Sequence, residues 1–261
     1  MSEYLQFAAE TAKAAGQLLL DNYGKMHSLE WKIRTDFKTE VDDQSDALIR
    51  HAILARYPDH NIYSEESSDR ETHSAYSWVV DPLGGTIPYT YGVNIQFSVC
   101  IGLVRGKDPI MGVIYSPKLN NFYTAEVGAG AFCNDVRLHV SNETDINKVL
   151  MGINLGKKKR VEGVPYLKRL VATDGVAEIF SSGCYSVAQC LVASGKLQGY
   201  LGNCIEPWDM VAATVILREA GGKVTDLHGR EWELGAESML TANPLLHQKL
   251  MEFLGLGVNS V

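Results

Sequence analysis

The sequence predicts a layered α/β protein, with α+β elements in alternating helix and sheet layers, from three observations. Amphipathic periodicity opens the chain twice, a set of short apolar runs punctuated by turn residues fills its middle, and helix-like and strand-like stretches alternate through its second half. At 261 residues the chain can bury a sizeable core. We read one domain over residues 1–261, made of a half over 1–145 and a half over 146–261.

The elements follow in order. Tyr4 to Tyr23 carries Leu5, Ala8, Ala12, Ala15 and Leu19 on one helical face, with Gly24 as its stop. Residues from about Asp43 to Tyr57 repeat the pattern with Leu48, Ile49 and Ile53, after a polar connection from Thr35 to Asp42. Trp78-Val79-Val80 reads as a strand that ends at Asp81, and a helix can begin after Gly84-Gly85-Thr86. Ser98–Val104, Ile110–Tyr115, Asn121–Ala125 and Arg137–Val140 read as an antiparallel meander. In the second half, strands near Val149–Asn154, Gln198–Leu201 and Lys223–Asp226 alternate with helices near Pro165–Ala172, Ser186–Ala193 and Pro207–Ala220. A last helix is capped by Asn243 and carries Leu246, Leu250 and Phe253.

Composition narrows the function. A net charge of −7 argues against a nucleic-acid partner, which would require phosphate neutralisation. The one basic run, Lys157-Lys158-Lys159-Arg160, reads as a solvated loop. No apolar run is long enough to span a bilayer, and the N-terminus does not read as a signal peptide, so no membrane partner is expected. The 5 cysteines form no C-x-x-C pair and suit reduced thiols in a cytoplasmic protein.

Four acidic positions carry the chemistry. Glu65, beside Glu66, follows the apolar pair Ile62-Tyr63; Asp81 ends a strand; Asp209 falls in a helix's first turn; Asp42 precedes a helix. Carboxylates from separate strand ends and helix starts suit a hard cation such as magnesium beside a phosphate. Each has a plainer alternative: an exposed turn pair for Glu65-Glu66, an N-cap for Asp42, a helix-dipole partner for Asp209. Asp81 resists one, because an unpaired charge directly after Trp-Val-Val is costly.

These positions lie in ordered motifs. Thr39-Glu40-Val41-Asp42 matches T-x-x-D, Ser64-Glu65-Glu66-Ser67 is similar to G-E-E-S, and Trp78 to Thr86 is similar to W-I/V-I/V-D-P-I/L-D-G-T. Gly130-Ala131-Phe132-Cys133-Asn134 matches G-A-F-x-N, Trp208-Asp209 matches W-D, and Glu219-Ala220-Gly221-Gly222 matches E-A-G-G. Over most of its length the chain thus resembles the inositol monophosphatase-like family of Mg-dependent, lithium-sensitive phosphatases. The resemblance implies an αβαβα sandwich of the inositol monophosphatase and fructose-1,6-bisphosphatase type, often a homodimer, hydrolysing a small-molecule phosphate ester with two or three Mg2+ ions. It implies that Glu65, Asp81 and the Leu83 carbonyl hold one metal and that Asp81 and Asp209 share a second. Glu65, Thr86 and Asp42 would activate the attacking water. The Gly85 and Thr86 amides would face the phosphate at a helix N-terminus, while Gly183, Cys184, Tyr185 and Asp209 would contact the substrate.

One position departs from the pattern: Gly84 stands where the family has its second aspartate. Glycine supplies no side-chain ligand, so the second metal position is expected to be weak. A loss of about 4 kcal/mol of transition-state stabilisation would slow turnover roughly a thousandfold. Gly84 is either an inactivating change or the mark of a non-catalytic metabolite-binding or regulatory protein. Gly202 stands where inositol-specific members carry an acid, with Glu206 nearby as a substitute. Ile87-Pro88-Tyr89 departs from T-N-F, and Tyr185 adds bulk. The substrate therefore stays open among polyol, cyclitol and sugar phosphates, histidinol phosphate included.

Overall fold

The strand Tyr76–Gly84 is buried on both faces, its side chains entering two different cores in turn, and that sorts the molecule into layers. The structure, a computed structural model, describes residues 1–93 and 95–257; residues 94 and 258–261 of the domain expected over 1–261 lie outside them. Helix α1 (Glu3–Asn22) is capped by Ser2, whose hydroxyl accepts from Leu5 N. Helix α2 (Glu40–Arg56) begins before its expected start, because Thr39 is the N-cap and Asp42, at N3, closes a capping box by accepting from Thr39 N. Asp42 is thus not itself the cap.

The expected polar connection from Thr35 to Asp42 is instead half of an antiparallel hairpin, β1 (Leu29–Ile33) with β2 (Asp36–Thr39). Every residue of β1 is exposed, so no buried face left an alternating signal to read.

A seven-stranded sheet follows: β3 (Asn61–Ser64), β4 (Tyr76–Gly84), β5 (Ser98–Arg105), β6 (Asp108–Ser116), β7 (Asn121–Glu126), β8 (Gly130–Cys133) and β9 (Val136–Arg137), in that spatial order. β3 pairs parallel with β4, and the remainder is the expected antiparallel meander. The strand expected over Arg137–Val140 stops at Arg137, and β8 went unrecognised behind its glycine-rich turn. Helix α3 (Thr86–Thr90) is a single turn between β4 and β5.

The second sheet has the order β11 (Glu178–Phe180), β10 (Leu150–Asn154), β12 (Gly199–Asn203), β14 (Ser238–Ala242), β13 (Lys223–Thr225). β10 runs parallel to both neighbours. Helices α4 (Val164–Leu170), α5 (Tyr185–Ala193), α6 (Pro207–Glu219) and α7 (Pro244–Leu254) complete the chain.

Three core clusters define the sandwich. Trp78 and Val80 pack against α1 and α2, whereas Val79, on the opposite face of β4, joins α5 and α6 between the two sheets. The outer face of the second sheet meets α4 and α7 through Leu170, Leu246 and Leu250. The layers therefore run αβαβα, as expected.

Helix α6 lies unusually close to the first sheet. A Cβ on Gly112 would stand 2.2 Å from the Ala212 carbonyl oxygen. Glu219, at the end of α6, accepts from Gly128 N at 2.8 Å and Gly130 N at 2.7 Å. The E-A-G-G and G-A-F-x-N motifs thus meet at a turn, as structural partners. Among the described residues all five cysteines are free, with Cys100, Cys184 and Cys190 buried. No helix among those residues is long and apolar enough to cross a membrane.

Candidate active site

Strand β4 does not end at Asp81 as its sequence suggested. It continues to Gly84, with its register against β5 shifting between Asp81 (opposite Cys100) and Gly84 (opposite Ser98). The shift is a bulge that bends the strand and re-aims its side chains. Leu83 N donates to Asp81 Oδ1 at 3.1 Å. Gly85 then takes φ +85, a left-handed turn that favours glycine, and a Cβ there would come within 3.0 Å of Cys184 Cβ.

Thr86 Oγ1 lies 3.0 Å from both Asp42 Oδ1 and the Leu83 carbonyl, so its single proton goes to one of them. Asp42 is wholly buried, and its Oδ2 accepts from Thr39 N at 2.8 Å and Thr39 Oγ1 at 2.6 Å. Burial pushes its carboxyl up to about 6, against the pull of the Thr39 and Thr86 hydrogen bonds. Asp42 reaches the cleft through Thr86.

A cleft of about 190 Å³ gathers nine of the expected residues: Glu65, Asp81, Leu83, Gly84, Gly85, Thr86, Gly183, Tyr185 and Asp209. Cys184 is buried behind it, its thiol 3.4 Å from the Gly84 carbonyl. The Glu65-Glu66 pair is not an exposed turn. The side chains keep 16% and 2% of their exposure, because Lys32 reaches across from the hairpin to within 3.0 Å of Glu65 and 2.5 Å of Glu66. Burial and the neighbouring Glu65 charge push Glu66 up to about 8. Asp209 is pushed up by burial and then by Glu65. Asp81 is pushed up well above the usual carboxylate range, by burial first and then by Glu65 and Asp209.

Asp81 Oδ2 is buried and has no hydrogen-bond partner among the described residues. An orphaned carboxylate oxygen among mutually repelling acids is an arrangement that a cation would relieve. Magnesium asks for only one or two carboxylates besides water and phosphate oxygens, so these residues fit it. Among the described residues, however, no three acidic, histidine or cysteine side chains converge into a ready cage. The Leu83 carbonyl also lies 3.0 Å from Thr86 Oγ1.

A Cβ on Gly84 would stand 2.7 Å from Asp81 Oδ2, 2.9 Å from Ser98 Oγ and 3.3 Å from Ser186 Oγ. Polar groups of neighbouring residues therefore occupy the space beside the glycine.

Sequence reasoning missed the opposite rim. Asn154, Gly156, Lys157, Lys158 and Arg160 line the cleft, so the basic run is more than a solvated loop. Lys157 pairs with Asp36 of β2, and Lys158 Nζ lies 2.6 Å from Glu206 Oε1. Glu206, expected nearby as a substitute for the acid missing at Gly202, lines the cleft and holds this ion pair. The signal that could have found this rim is its place directly after β10, since clefts of layered α/β proteins form beyond the carboxyl ends of parallel strands.

A profile described as the inositol monophosphatase family matches residues 1–255. A protein of Aquifex aeolicus named fructose-1,6-bisphosphatase/inositol-1-monophosphatase is 34% identical over 257 residues, covering 97% of this chain and 95% of that protein. A Pasteurella multocida protein named Nus factor SuhB is 31% identical over 256 residues, covering 96% and 95%. The crystal structure of extragenic suppressor protein suhB from Bartonella henselae superposes with a TM-score of 0.91 at 28% identity, over 98% of this chain and 100% of that one.

Proposed function

The chain belongs to the inositol monophosphatase family, and from that premise we propose that it is a magnesium-dependent phosphomonoesterase of a small polyol, cyclitol or sugar phosphate, with turnover held down by Gly84. The observation that carries this reading is the Thr86 hydroxyl, held by buried Asp42 at the wall of a cleft whose floor is acidic and short of one partner.

The roles follow from position. Glu65, Asp81, Asp209 and the Leu83 carbonyl are the groups that would hold magnesium, which neutralises a dianionic ester and acidifies bound water. Asp42 accepts from Thr86 and orients that hydroxyl toward the cleft, where it fixes the attacking water. Glu65 takes the proton from that water. Gly85 and Thr86, at the turn into α3, present the phosphate side of the cleft, and Gly183 and Tyr185 meet the alcohol side. Gly84 withholds one carboxylate from this set. The same reading places the enzyme in the cytoplasm as a homodimer, and the free thiols accord with a reducing compartment.

Gly84 also favours a second reading, a non-catalytic metabolite-binding or regulatory protein, and a relative named as a Nus factor accords with it. The test compares Mg2+-dependent phosphate release by the unaltered chain and Gly84→Asp on polyol, cyclitol, sugar and histidinol phosphates. We expect a gain of about a thousandfold on at least one ester. A folded Gly84→Asp protein that stays inactive on all of them sinks the enzyme reading. Calorimetric ligand binding without that gain supports the second.

A further inference from the structure

Ser64, which stands where the G-E-E-S pattern has glycine, has no task in the reading above. It closes β3, a strand at the sheet edge whose residues alternate between two layers. Ile62 enters the core beneath α1 and α2, while Tyr63 packs toward α5 and α6. Ser64 turns back to α2, and Glu65, the next residue, emerges on the cleft side and lines the cleft. The sheet holds that end of the strand loosely. The last rung of the β3–β4 pairing, Glu65 N to the Val80 carbonyl, is long at 3.3 Å. The chain then loops out over residues 65–69 and returns to bridge Ile62 at Arg70.

Helix α2 supplies what the sheet does not. Asp42, Asp46 and Arg50 recur every four residues along one of its faces. Asp42 lies against the Thr86 hydroxyl, Asp46 Oδ1 accepts from Ser64 Oγ, and Arg50 Nη1 donates to Ser67 Oγ at 3.0 Å. The acid pair Glu65-Glu66 is thus bracketed by two serines clamped to α2. Of the two clamps, Asp46–Ser64 is the buried one, its residues exposed by 5% and 4%. Asp46 has no ion-pair partner among the described residues, and neither it nor Ser64 lines the cleft. A carboxylate buried without a cation is a poor stabiliser of a fold, so stability alone does not account for it. A glycine at position 64 would leave Asp46 without this donor.

We propose that Asp46 is a positioning residue, which fixes the end of β3 through the Ser64 hydroxyl and so sets the direction in which the Glu65 carboxylate faces the cleft. This rests on the phosphatase reading for the role of Glu65 toward magnesium. A hydrogen bond to a carboxylate is short and directional, and here it restrains a strand end that its own ladder pairs weakly. Removing the groups that orient a metal-holding side chain typically costs about 10- to 100-fold in metal affinity. Asp46 acts one residue away from Glu65, so the low end of that range applies.

The test is calorimetric titration of magnesium into the full chain, with a thermal melt of each variant alongside. Ser64→Ala and Asp46→Ala should each weaken magnesium binding about tenfold. The double variant should lose about the same tenfold and not about a hundredfold, because both changes break one contact. Asp46→Asn keeps an acceptor for Ser64 and should stay within about threefold of the unaltered chain. Thr225→Ala, which removes a buried hydroxyl bonded to His247 in the second sheet, controls for stability alone and should leave the affinity unchanged. Should Asp46→Ala fail to fold, Ser64→Ala and Asp46→Asn decide. Magnesium bound equally well by the unaltered chain and Ser64→Ala overturns the positioning role and leaves the phosphatase reading standing. A loss in Asp46→Asn as deep as in Ser64→Ala assigns the effect to charge, and one as deep in Thr225→Ala assigns it to stability; either overturns the proposal. No magnesium binding by the unaltered chain overturns both.

Discussion

Placing a side chain at position 84 separates packing from charge, and the two can be weighed in advance. Gly84→Ala adds only a Cβ, at 2.7 Å from Asp81 Oδ2 and 2.9 Å from Ser98 Oγ, where ordinary contact begins at 3.4 Å. Both neighbours are side-chain ends that can rotate, at the cost of about 1 kcal/mol for disturbing the 2.8 Å Ser98–Ser186 hydrogen bond. The backbone of Gly84 is not left-handed, so alanine also gains roughly 0.4–1 kcal/mol by restricting the unfolded chain. The two effects nearly cancel, and Gly84→Ala is expected within about 1 kcal/mol of the unaltered protein.

Gly84→Asp differs by a carboxylate set beside Asp81, whose Oδ2 has no hydrogen-bond partner among the described residues. An uncompensated buried charge costs about 3–5 kcal/mol, so in EDTA this variant should be about 3 kcal/mol less stable than Gly84→Ala. Magnesium at a hundred times its Kd would return about 2.7 kcal/mol, a rise in Tm of roughly 5–10 °C for a chain of this size. The unaltered protein and Gly84→Ala should respond less. Thermal melts of all three proteins, in EDTA and in magnesium, decide the matter without reference to turnover. If Gly84→Asp melts with Gly84→Ala in EDTA, or if magnesium raises all three alike, the account of Gly84 as a missing metal carboxylate is wrong.

Other substitutions probe the surrounding structure. His247 is buried, its Nε2 2.9 Å from Thr225 Oγ1, and burial depresses its pKa from 6.5 to about 4. The unfolded chain therefore takes the proton first as pH falls below 6.5, and stability drains between 6.5 and about 4 by up to ~3 kcal/mol. Urea titrations at neutral and acid pH should show His247→Gln losing correspondingly less, and equal losses would refute the assignment. Gly112→Ala should cost about 3 kcal/mol in the same assay, since the Ala212 carbonyl at 2.2 Å is helix backbone and cannot rotate away. A neutral result would mean that α6 is not pinned to the sheet there. Thr86→Val strips Asp42 Oδ1 of a donor, at about 1–2 kcal/mol. In the Gly84→Asp background it should lower phosphate release about a hundredfold or more, and an undiminished rate would remove Thr86 from the mechanism.

What the sequence disclosed depended on burial. Helices α1, α2, α6 and α7 each bury one or more faces, so their apolar periodicity stood out. The β1 strand buries nothing, β11 has only 3 residues, and β14 reads as Ser-Met-Leu-Thr-Ala without alternation. None of these three offers a periodic signal. The candidate site divides the same way. Asp81 stood out because a charge directly following Trp78-Val79-Val80 cannot avoid the interior. Lys157, Lys158 and Arg160 did not, because cations in a loop look like solvated surface until the fold sets the end of β10 beside α6.

The structure also changes what Gly84 means. From the sequence, a glycine in place of an aspartate is a subtraction, one ligand fewer and everything else in place. In the fold, Asp81 Oδ2 and the Ser98 and Ser186 hydroxyls crowd the point where a Cβ would sit, and the Cys184 thiol caps the Gly84 carbonyl. An aspartate placed at position 84 must therefore rotate Asp81, one of the acids that would hold magnesium under the proposed function. Ser98 and Ser186 should then govern how fully the site recovers, since their hydrogen-bonded pair stands against the new side chain. Ser98→Ala combined with Gly84→Asp removes one of those obstacles while leaving every acid untouched. If turnover of the double variant does not exceed that of Gly84→Asp alone, the crowding around position 84 is incidental to its chemistry.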